Sequence, residues 1–171
     1  PASFHGEMAI AALEAGCHCL IEKPIATDLN DAERIVALSA EKNLIVQIGH
    51  QERMVIRAIG LDKYEDTPIA ISALRLSQPS PRGTDVSVTL DLMTHDIDLM
   101  LWLMGGSPTE VEGETFSTYS QTIDDTSATC RYGEPESYLA ASRTGEEPNA
   151  REFIAVYEDG VVEIDFAAKT V

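Results

Sequence analysis

The sequence predicts an α/β unit built on a parallel sheet, followed by an α+β unit with a mostly antiparallel sheet and a helix packed on one face. Three observations predict this arrangement. Over residues 1–50, helical patterns alternate with short continuous apolar runs, as in successive βα units. After residue 110, apolar and polar residues alternate along strand-length segments that end at glycine-containing turns. Between these regions lies one long apolar helical segment, Leu90–Met104.

Residues 1–50 carry the alternating helices and strands of the first unit. The expected elements are a helix over His5–Ala15, a strand over Cys17–Glu22, a helix from about Asn30 to Lys42 and a strand over Leu44–Ile48. Gly16 supplies the left-handed residue that ends the first helix. Thr27, Asp28 and Asn30 are candidate N-caps for the second helix, and Asn30 has a glutamate three positions later, as in a capping box.

A domain boundary is expected near residues 50–53, which gives domains over 1–50 and 51–171. The expected helices of the second domain lie around Met54–Ile59 and over Leu90–Met104, and its expected strands are Ile69–Ser77, Val111–Tyr119, Ser127–Tyr132, Ser137–Arg143, Phe153–Tyr157 and Val161–Phe166. The segment Gln78–Val88 is predicted to be a loop because it is rich in proline and glycine.

Apolar residues are also expected on the sheet face turned away from the helix. The four that we assign to it are Val111, Phe116, Phe153 and Val156. Apolar side chains on an open sheet face favour association between copies of a chain, so we expect a homodimer or homotetramer through this face.

Composition excludes several classes of partner. The chain has 29 acidic and 12 basic residues, a net charge of −17, and no Lys/Arg cluster, which argues against binding to nucleic acid or to an anionic membrane. No segment has the length of a membrane span or the pattern of a signal peptide. The three cysteines lack the spacing of a structural zinc site. We therefore expect a cytoplasmic protein with reduced, buried thiols.

The apolar segment Leu90–Met104 contains three polar residues that are candidates for chemistry. Asp91, His95 and Asp98 fall at i, i+4 and i+7, so they share one stripe of a helix that is apolar elsewhere. Buried carboxylates and imidazoles are costly unless they are paired or used. A polar pair that only anchors the helix explains the stripe equally well, and a metal site is geometrically feasible, but no second ligand cluster follows and we expect no metal.

A second candidate is Lys23, within Glu22-Lys23-Pro24, which follows the apolar run of the first strand. Ligands of open α/β sheets bind beyond the carboxyl ends of the strands, where this lysine is expected. Pro24 fixes its own φ and restricts the preceding residue, so it shapes the turn that carries Lys23.

These residues belong to an ordered set of motifs. Pro1 to His5 is followed by Ala-Ala-Leu-Glu-Ala-Gly, then come Glu22-Lys23-Pro24, Gly49-His50 with Arg53, and the aspartate and histidine pattern of the apolar helix with its Trp-Leu-Met-Gly ending. In order and spacing the chain resembles the Gfo/Idh/MocA oxidoreductases, which oxidise or reduce sugars and cyclitols with a nicotinamide cofactor. The resemblance implies that residues 1–50 are the C-terminal half of a Rossmann-type sheet and that the cofactor is NAD or NADP.

The resemblance also implies roles for individual residues. His95 is the expected base for the hydroxyl proton, Asp91 hydrogen-bonds the imidazole or a substrate hydroxyl, and Lys23 donates to the reacting oxygen. Pro1, His5, Glu22 and Lys23 lie on the cofactor side. Arg53 and Arg82 are expected to contact the substrate, Arg82 in particular its diphosphate.

A narrower resemblance concerns the substrate. Arg75-Leu76-Ser77, the loop Ser80–Val86 and the start of the apolar helix are similar to the branch that oxidises the 3-hydroxyl of UDP-N-acetylglucosamine on the way to an amino sugar of lipid A. A small-molecule sugar or nucleotide-linked sugar is therefore the expected partner. Val88-Thr89 replaces the Gly-Gly that many members carry, and these bulkier residues reshape the pocket, which makes a simple monosaccharide a less favoured substrate.

Family members begin with a strand, a Gly-x-Gly-x-x-Gly turn and a helix that holds the pyrophosphate, and this sequence contains no such turn. We therefore expect that the chain is a fragment lacking the N-terminal part of the dinucleotide domain, and that alone it binds cofactor poorly and is inactive. An alternative interpretation is a non-enzymatic sugar-binding or assembly module that has lost cofactor binding.

Overall fold

The computed structural model describes residues 1–79, 85–145 and 149–171. A two-stranded parallel sheet lies in the N-terminal region, and a six-stranded sheet with one long helix against it forms the rest. The elements before the second sheet are α1 (His5–Glu14), β1 (Cys19–Glu22), α2 (Leu29–Lys42), β2 (Val46–Gly49) and α3 (Glu52–Ile59), with a 3₁₀ turn at Ala2–Phe4. The α/β fold class predicted for this region is confirmed.

Strands β1 and β2 pair in parallel with Ile21 opposite Ile48 and Glu22 opposite Gly49. Helices α1 and α2 cover one face of the pair, and the buried residues between them are Ala9, Leu13, Ile21, Ala26, Ile35 and Leu38. Both strands end at the same edge, so the residues that follow them are brought side by side.

Helix α2 begins two residues earlier than a capping box at Asn30 requires. Asp28 is the N-cap, and its carboxylate accepts from the backbone N–H groups of Asn30 (2.9 Å) and Asp31 (3.3 Å). Asn30 therefore lies inside the first turn, where its side chain cannot act as the cap, and the Asn30 box is wrong.

The six-stranded sheet has the order β4-β5-β6-β3-β7-β8. Its strands are β3 (Ala70–Leu76), β4 (Glu110–Phe116), β5 (Asp125–Arg131), β6 (Ser137–Ser142), β7 (Ala150–Val156) and β8 (Val161–Asp165). All neighbours are antiparallel except β3 and β6, which run parallel. The predicted mostly antiparallel sheet with a helix on one face is confirmed.

Two of the four side chains assigned to the open face of this sheet, Phe153 and Val111, are misplaced. Phe153 is fully buried within the core that also contains Leu99 and Met100 of the long helix, because its position in β7 points it toward that helix. Val111 pairs with Cys130 of the same core, so it also belongs to the helix face, although it is 58% exposed on the edge strand. Phe116 is 58% exposed on the opposite face, as expected.

The long apolar segment is not a continuous α-helix. Residues Thr89–Met93 form one turn of π-helix, and α4 then runs over Thr94–Leu103. The Thr94 hydroxyl donates to the carbonyls of Thr89 (3.0 Å) and Leu90 (2.9 Å), so it occupies acceptors in the turn where the backbone changes pitch. Turns of π-helix are frequent at functional sites.

The cysteines also differ from expectation. All three are free thiols, but only Cys130 is buried; Cys17 is exposed and Cys19 is partly buried. Cys17 lies before β1 rather than within it, so the sheet does not cover it.

No helix in the described ranges is long and apolar enough to cross a membrane.

Candidate active site

The candidate site lies where the carboxyl ends of β1 and β2 meet α3 and the π-helical turn before α4. Glu22 ends β1 and Gly49 ends β2, paired side by side. A Cβ atom on residue 49 would lie 2.8 Å from Glu22 Oε2, so a larger residue would displace this carboxylate from its place at the strand end.

The loop after β1 is tied to the start of α1. His5 Nδ1 lies 2.8 Å from the carbonyl oxygen of Pro24, and the Lys23–Pro24 peptide bond is cis. His5 thus holds the Glu22-Lys23-Pro24 turn in place. Pro1 is exposed, and its carbonyl accepts from the N–H of Phe4 at 3.2 Å.

Lys23 reaches from this turn to the π-helical turn, 68 positions away in sequence. Its Nζ donates to the backbone carbonyl of Asp91 and lies 3.3 Å from Asp91 Oδ1. The Lys23 side chain is largely buried, whereas that of Asp91 is about one-third exposed. Two of the predicted catalytic residues are thereby brought into contact.

His95, one turn further along, contacts a residue that the sequence analysis did not select. Its Nδ1 lies 2.6 Å from Glu52 Oε2 in the first turn of α3, although the two groups are not aligned as in an ideal hydrogen bond. Asp91 was one of the partners expected for this imidazole, but it is paired with Lys23 instead, and Glu52 is the carboxylate beside the ring.

Glu52 is held in its ionised form by its neighbours. Burial raises its pKa, but His95 and Arg75 together outweigh that effect, and the pKa falls to about 2. Its position in the first turn of α3 also places the negative charge near the positive end of the helix dipole.

Arg75, on β3, links Glu52 to a second buried carboxylate. Its Nε and Nη2 donate to Asp96 at 2.9 and 2.8 Å, and its Nη1 donates to Glu52 Oε1 at 3.2 Å. Arg75 and Asp96 side chains are each only 3% exposed. Burial raises the pKa of Asp96, and the arginine opposes that rise.

The third residue of the predicted stripe, Asp98, has different partners. Arg53 donates to it through Nε (2.7 Å) and Nη2 (2.5 Å), and His50 Nδ1 lies 3.4 Å from it. The Arg53 guanidinium also stacks over Trp102, 5.0 Å from the ring centre. Burial lowers the pKa of His50, Arg53 and His95 add to that decrease, and Asp98 opposes it.

An open cleft of about 670 Å³ borders this cluster. It runs along the exposed face of β1 and β2 and is lined by Glu22, Gly49, His50 and Arg53 among others. The volume is within the range typical of small-molecule sites. Arg82, predicted to contact a substrate diphosphate, lies outside the described residues.

Three residues of the cluster were missed as site residues: Glu52, Arg75 and Asp96. Arg75 had a signal, since it is a charged residue within an otherwise apolar strand pattern, and such residues are buried only when paired. Glu52 had none, because a glutamate in the first turn of a helix is ordinary. Within residues 1–79, 85–145 and 149–171, no group of three His, Cys, Asp or Glu side chains could hold a metal ion.

Two family models match the chain. Residues 1–50 match a model described as an oxidoreductase family with an NAD-binding Rossmann fold, and residues 75–163 match the Gfo/Idh/MocA C-terminal domain. The chain therefore belongs to the Gfo/Idh/MocA family of oxidoreductases.

The relatives include sugar and cyclitol dehydrogenases. UDP-N-acetylglucosamine 3-dehydrogenase from Acidithiobacillus ferrooxidans is 34% identical over 99% of this chain and 55% of the relative. A solved structure of that enzyme superposes with a TM-score of 0.85 over 99% of this chain and 57% of its own. Inositol 2-dehydrogenase from Agrobacterium fabrum is 32% identical over 58% of this chain and 32% of its own. The chain thus spans about half the length of the first of these relatives.

Proposed function

We propose that the chain carries the proton-transfer groups of an NAD- or NADP-dependent dehydrogenase that oxidises a secondary hydroxyl of a sugar. The observation that carries this proposal is the contact between Lys23, at the end of β1, and Asp91, one turn before His95. It joins a strand-end lysine to the helix that holds a buried imidazole. On this assignment, residues 1–50 form the cofactor side and residues 51–171 the substrate side.

The residues present fit one end of the cofactor. Ligands of parallel sheets bind beyond the carboxyl ends of the strands, and Lys23 supplies a donor there while Glu22 supplies an acceptor. These groups suit the carboxamide and ribose next to the nicotinamide, with Pro1 and His5 on the adjoining loop. The described residues contain no glycine-rich turn for a pyrophosphate.

Oxidation of an alcohol requires a base for the hydroxyl proton while the carbon loses a hydride. The nicotinamide, when bound, supplies the hydride acceptor. His95 takes the proton, and Lys23 donates a hydrogen bond to the oxygen that becomes the ketone. Asp91 holds the Lys23 ammonium in place, which orients the donor for that oxygen.

The proposed substrate is UDP-N-acetylglucosamine, oxidised at its 3-hydroxyl. The A. ferrooxidans relative carries that activity in its name and matches nearly the whole chain. Arg53 borders the cleft, and its Nη1 makes no hydrogen bond to the described residues, which leaves a donor for a phosphate oxygen. We assign Arg82 to the diphosphate from its place in the sequence alone.

A second candidate is a sugar-binding or assembly module without activity. We further propose a cytoplasmic location, a role in the synthesis of lipid A, and a homodimer or homotetramer through the open sheet face, where Phe116 and Tyr138 are exposed.

The test compares the chain alone with the chain fused behind the first part of the dinucleotide domain of the A. ferrooxidans relative, called here the completed protein. We expect the completed protein to reduce NAD or NADP with UDP-N-acetylglucosamine, and the chain alone to bind neither cofactor tightly. A folded completed protein that binds the sugar nucleotide but reduces no cofactor would favour the module.

A further inference from the structure

We propose that Glu52 is the positioning residue for His95: its carboxylate accepts the Nδ1 hydrogen of the imidazole and so leaves Nε2 free to take the proton of the substrate hydroxyl. The inference rests on the proposed function for the identity of that hydroxyl. It concerns a residue on α3, outside the predicted stripe of α4.

The burial of the two atoms argues for their pairing. His95 Nδ1 and Glu52 Oε2 are both shielded from solvent, and neither has another hydrogen-bond partner among the described residues. A buried polar atom without a partner costs about 1–3 kcal/mol. At 2.6 Å, each atom is the partner available to the other. Catalytic hydrogen bonds are often poorly aligned before substrate binds, so the present angle is compatible with this role.

The carboxylate then determines which ring nitrogen carries the proton. An ionised carboxylate only accepts hydrogen bonds, so Nδ1 must be the protonated nitrogen of the neutral ring. Nε2 makes no hydrogen bond to any residue that the structure describes. Its lone pair is therefore available to a substrate hydroxyl, as in other sites where a carboxylate orients a histidine base.

Glu52 is itself fixed by Arg75. The guanidinium donates to Glu52 Oε1 and, through two other nitrogens, to Asp96. When His95 is neutral, the buried set of Glu52, Arg75 and Asp96 carries one negative charge in excess. Proton transfer to His95 cancels that charge, so the carboxylate stabilises the imidazolium as it forms.

Other charged groups also face His95. Asp96 is its neighbour on α4, Arg75 approaches from β3 through Glu52, and His50 comes from the end of β2. A pH profile of the enzyme therefore reports the whole cluster, and a variant at Glu52 must be compared with a variant at another member of it.

The direct test is the ¹⁵N NMR spectrum of the chain labelled at histidine. The chain has four histidines, and the ring nitrogen signals that disappear in His95→Asn are those of His95. We expect the neutral ring of wild-type His95 to carry its proton on Nδ1, and Glu52→Gln to shift the ring toward the Nε2-protonated form. A wild-type ring protonated on Nε2, or an unchanged spectrum in Glu52→Gln, would overturn the assignment. This test does not require any variant to be enzymatically active.

Asp96→Asn is the matched control, because it removes the other carboxylate from the same arginine and, among the described residues, Asp96 makes no hydrogen bond to an imidazole. It should lower the melting temperature while leaving the His95 tautomer unchanged.

In the completed protein, Glu52→Gln should lower kcat by about tenfold to a hundredfold with little change in the KM for the sugar, and should move the low-pH limb of kcat/KM to lower pH. Equal effects of both variants on kcat and on that limb would show that Glu52 is only structural. A completed protein without activity on any sugar would refute the proposed function, whereas the NMR result would still decide whether Glu52 positions the ring.

Discussion

Lys23 Nζ and Asp91 are joined twice, through the backbone carbonyl and through Oδ1 at 3.3 Å. The carbonyl belongs to the π-helical turn Thr89–Met93, where the regular hydrogen bonding of α4 has not yet begun. The change of helical pitch thus occurs at the turn whose carbonyl accepts the hydrogen bond from Lys23. This contact connects the strand-end turn of the first sheet to the helix that packs on the second.

The first prediction concerns Lys23. Replacing it with methionine in the completed protein keeps the length of the side chain but removes its donor to the reacting oxygen. We expect turnover to fall by about a hundredfold or more, with cofactor affinity nearly unchanged. Lys42→Met is the control, since the one hydrogen bond of the Lys42 side chain within the described residues goes to the carbonyl of Glu14 on an exposed surface. Equal rates for the two variants would remove Lys23 from the chemistry.

The second prediction concerns the base. His95→Ala in the completed protein should also lower turnover by about a hundredfold or more while sparing cofactor affinity. His18→Ala serves as the comparison, because His18 is exposed and accepts only the backbone N–H of Ile45. A near-wild-type rate for His95→Ala would contradict the proposed mechanism.

The third prediction concerns acid stability. The pKa of Glu52 is about 2 in the folded chain against an ordinary value of 4.5. A depressed carboxyl pKa contributes stability that is fully present above the ordinary value and is lost as pH falls toward the folded one. Wild type should therefore exceed Glu52→Gln in unfolding free energy by about 2–3 kcal/mol near neutral pH, and the gap should close between pH 4.5 and about 2.

Urea unfolding at a series of pH values measures that gap. Glu114→Gln is the control, since Glu114 lies exposed on β4. A difference between wild type and Glu52→Gln that stayed constant from neutral pH to pH 2 would show that the neighbours of Glu52 do not lower its pKa.

The fourth prediction separates a buried ion pair from an exposed one. Arg75→Met leaves Asp96 and Glu52 without their guanidinium, and removal of one partner from a buried pair costs about 3–5 kcal/mol. Arg131→Met should cost about 1 kcal/mol or less, although Arg131 contacts three glutamates, because all of these groups lie on the surface. Calorimetric or denaturant unfolding compares the two; similar losses would mean that burial of Arg75 does not matter.

Much of the fold could be predicted from local patterns. Continuous apolar runs identified β1 and β2, and alternation identified the strands of the second sheet, because each pattern reflects which faces are buried. The π-helical turn could not be predicted, since it depends on the Thr94 hydroxyl bonding back to Thr89 and Leu90. Phe153 was assigned to the wrong face because alternation shows that a strand has two faces without showing which one meets the helix.

The candidate site was only partly predictable for a related reason. Helical spacing placed Asp91, His95 and Asp98 on one stripe, but it could not tell which residue of another element each would meet. The partners are Lys23, Glu52 and Arg53, and they come from the segments that follow β1 and β2. Such pairings are decided by how two sheets are placed against one helix, which no local pattern encodes.

The crystal structure of the completed protein with a nicotinamide cofactor and UDP-N-acetylglucosamine tests the central claim most directly. We predict that one sugar hydroxyl oxygen lies within hydrogen-bonding distance of both Lys23 Nζ and His95 Nε2. A sugar bound elsewhere, or a hydroxyl that reaches only one of these two groups, would contradict the account.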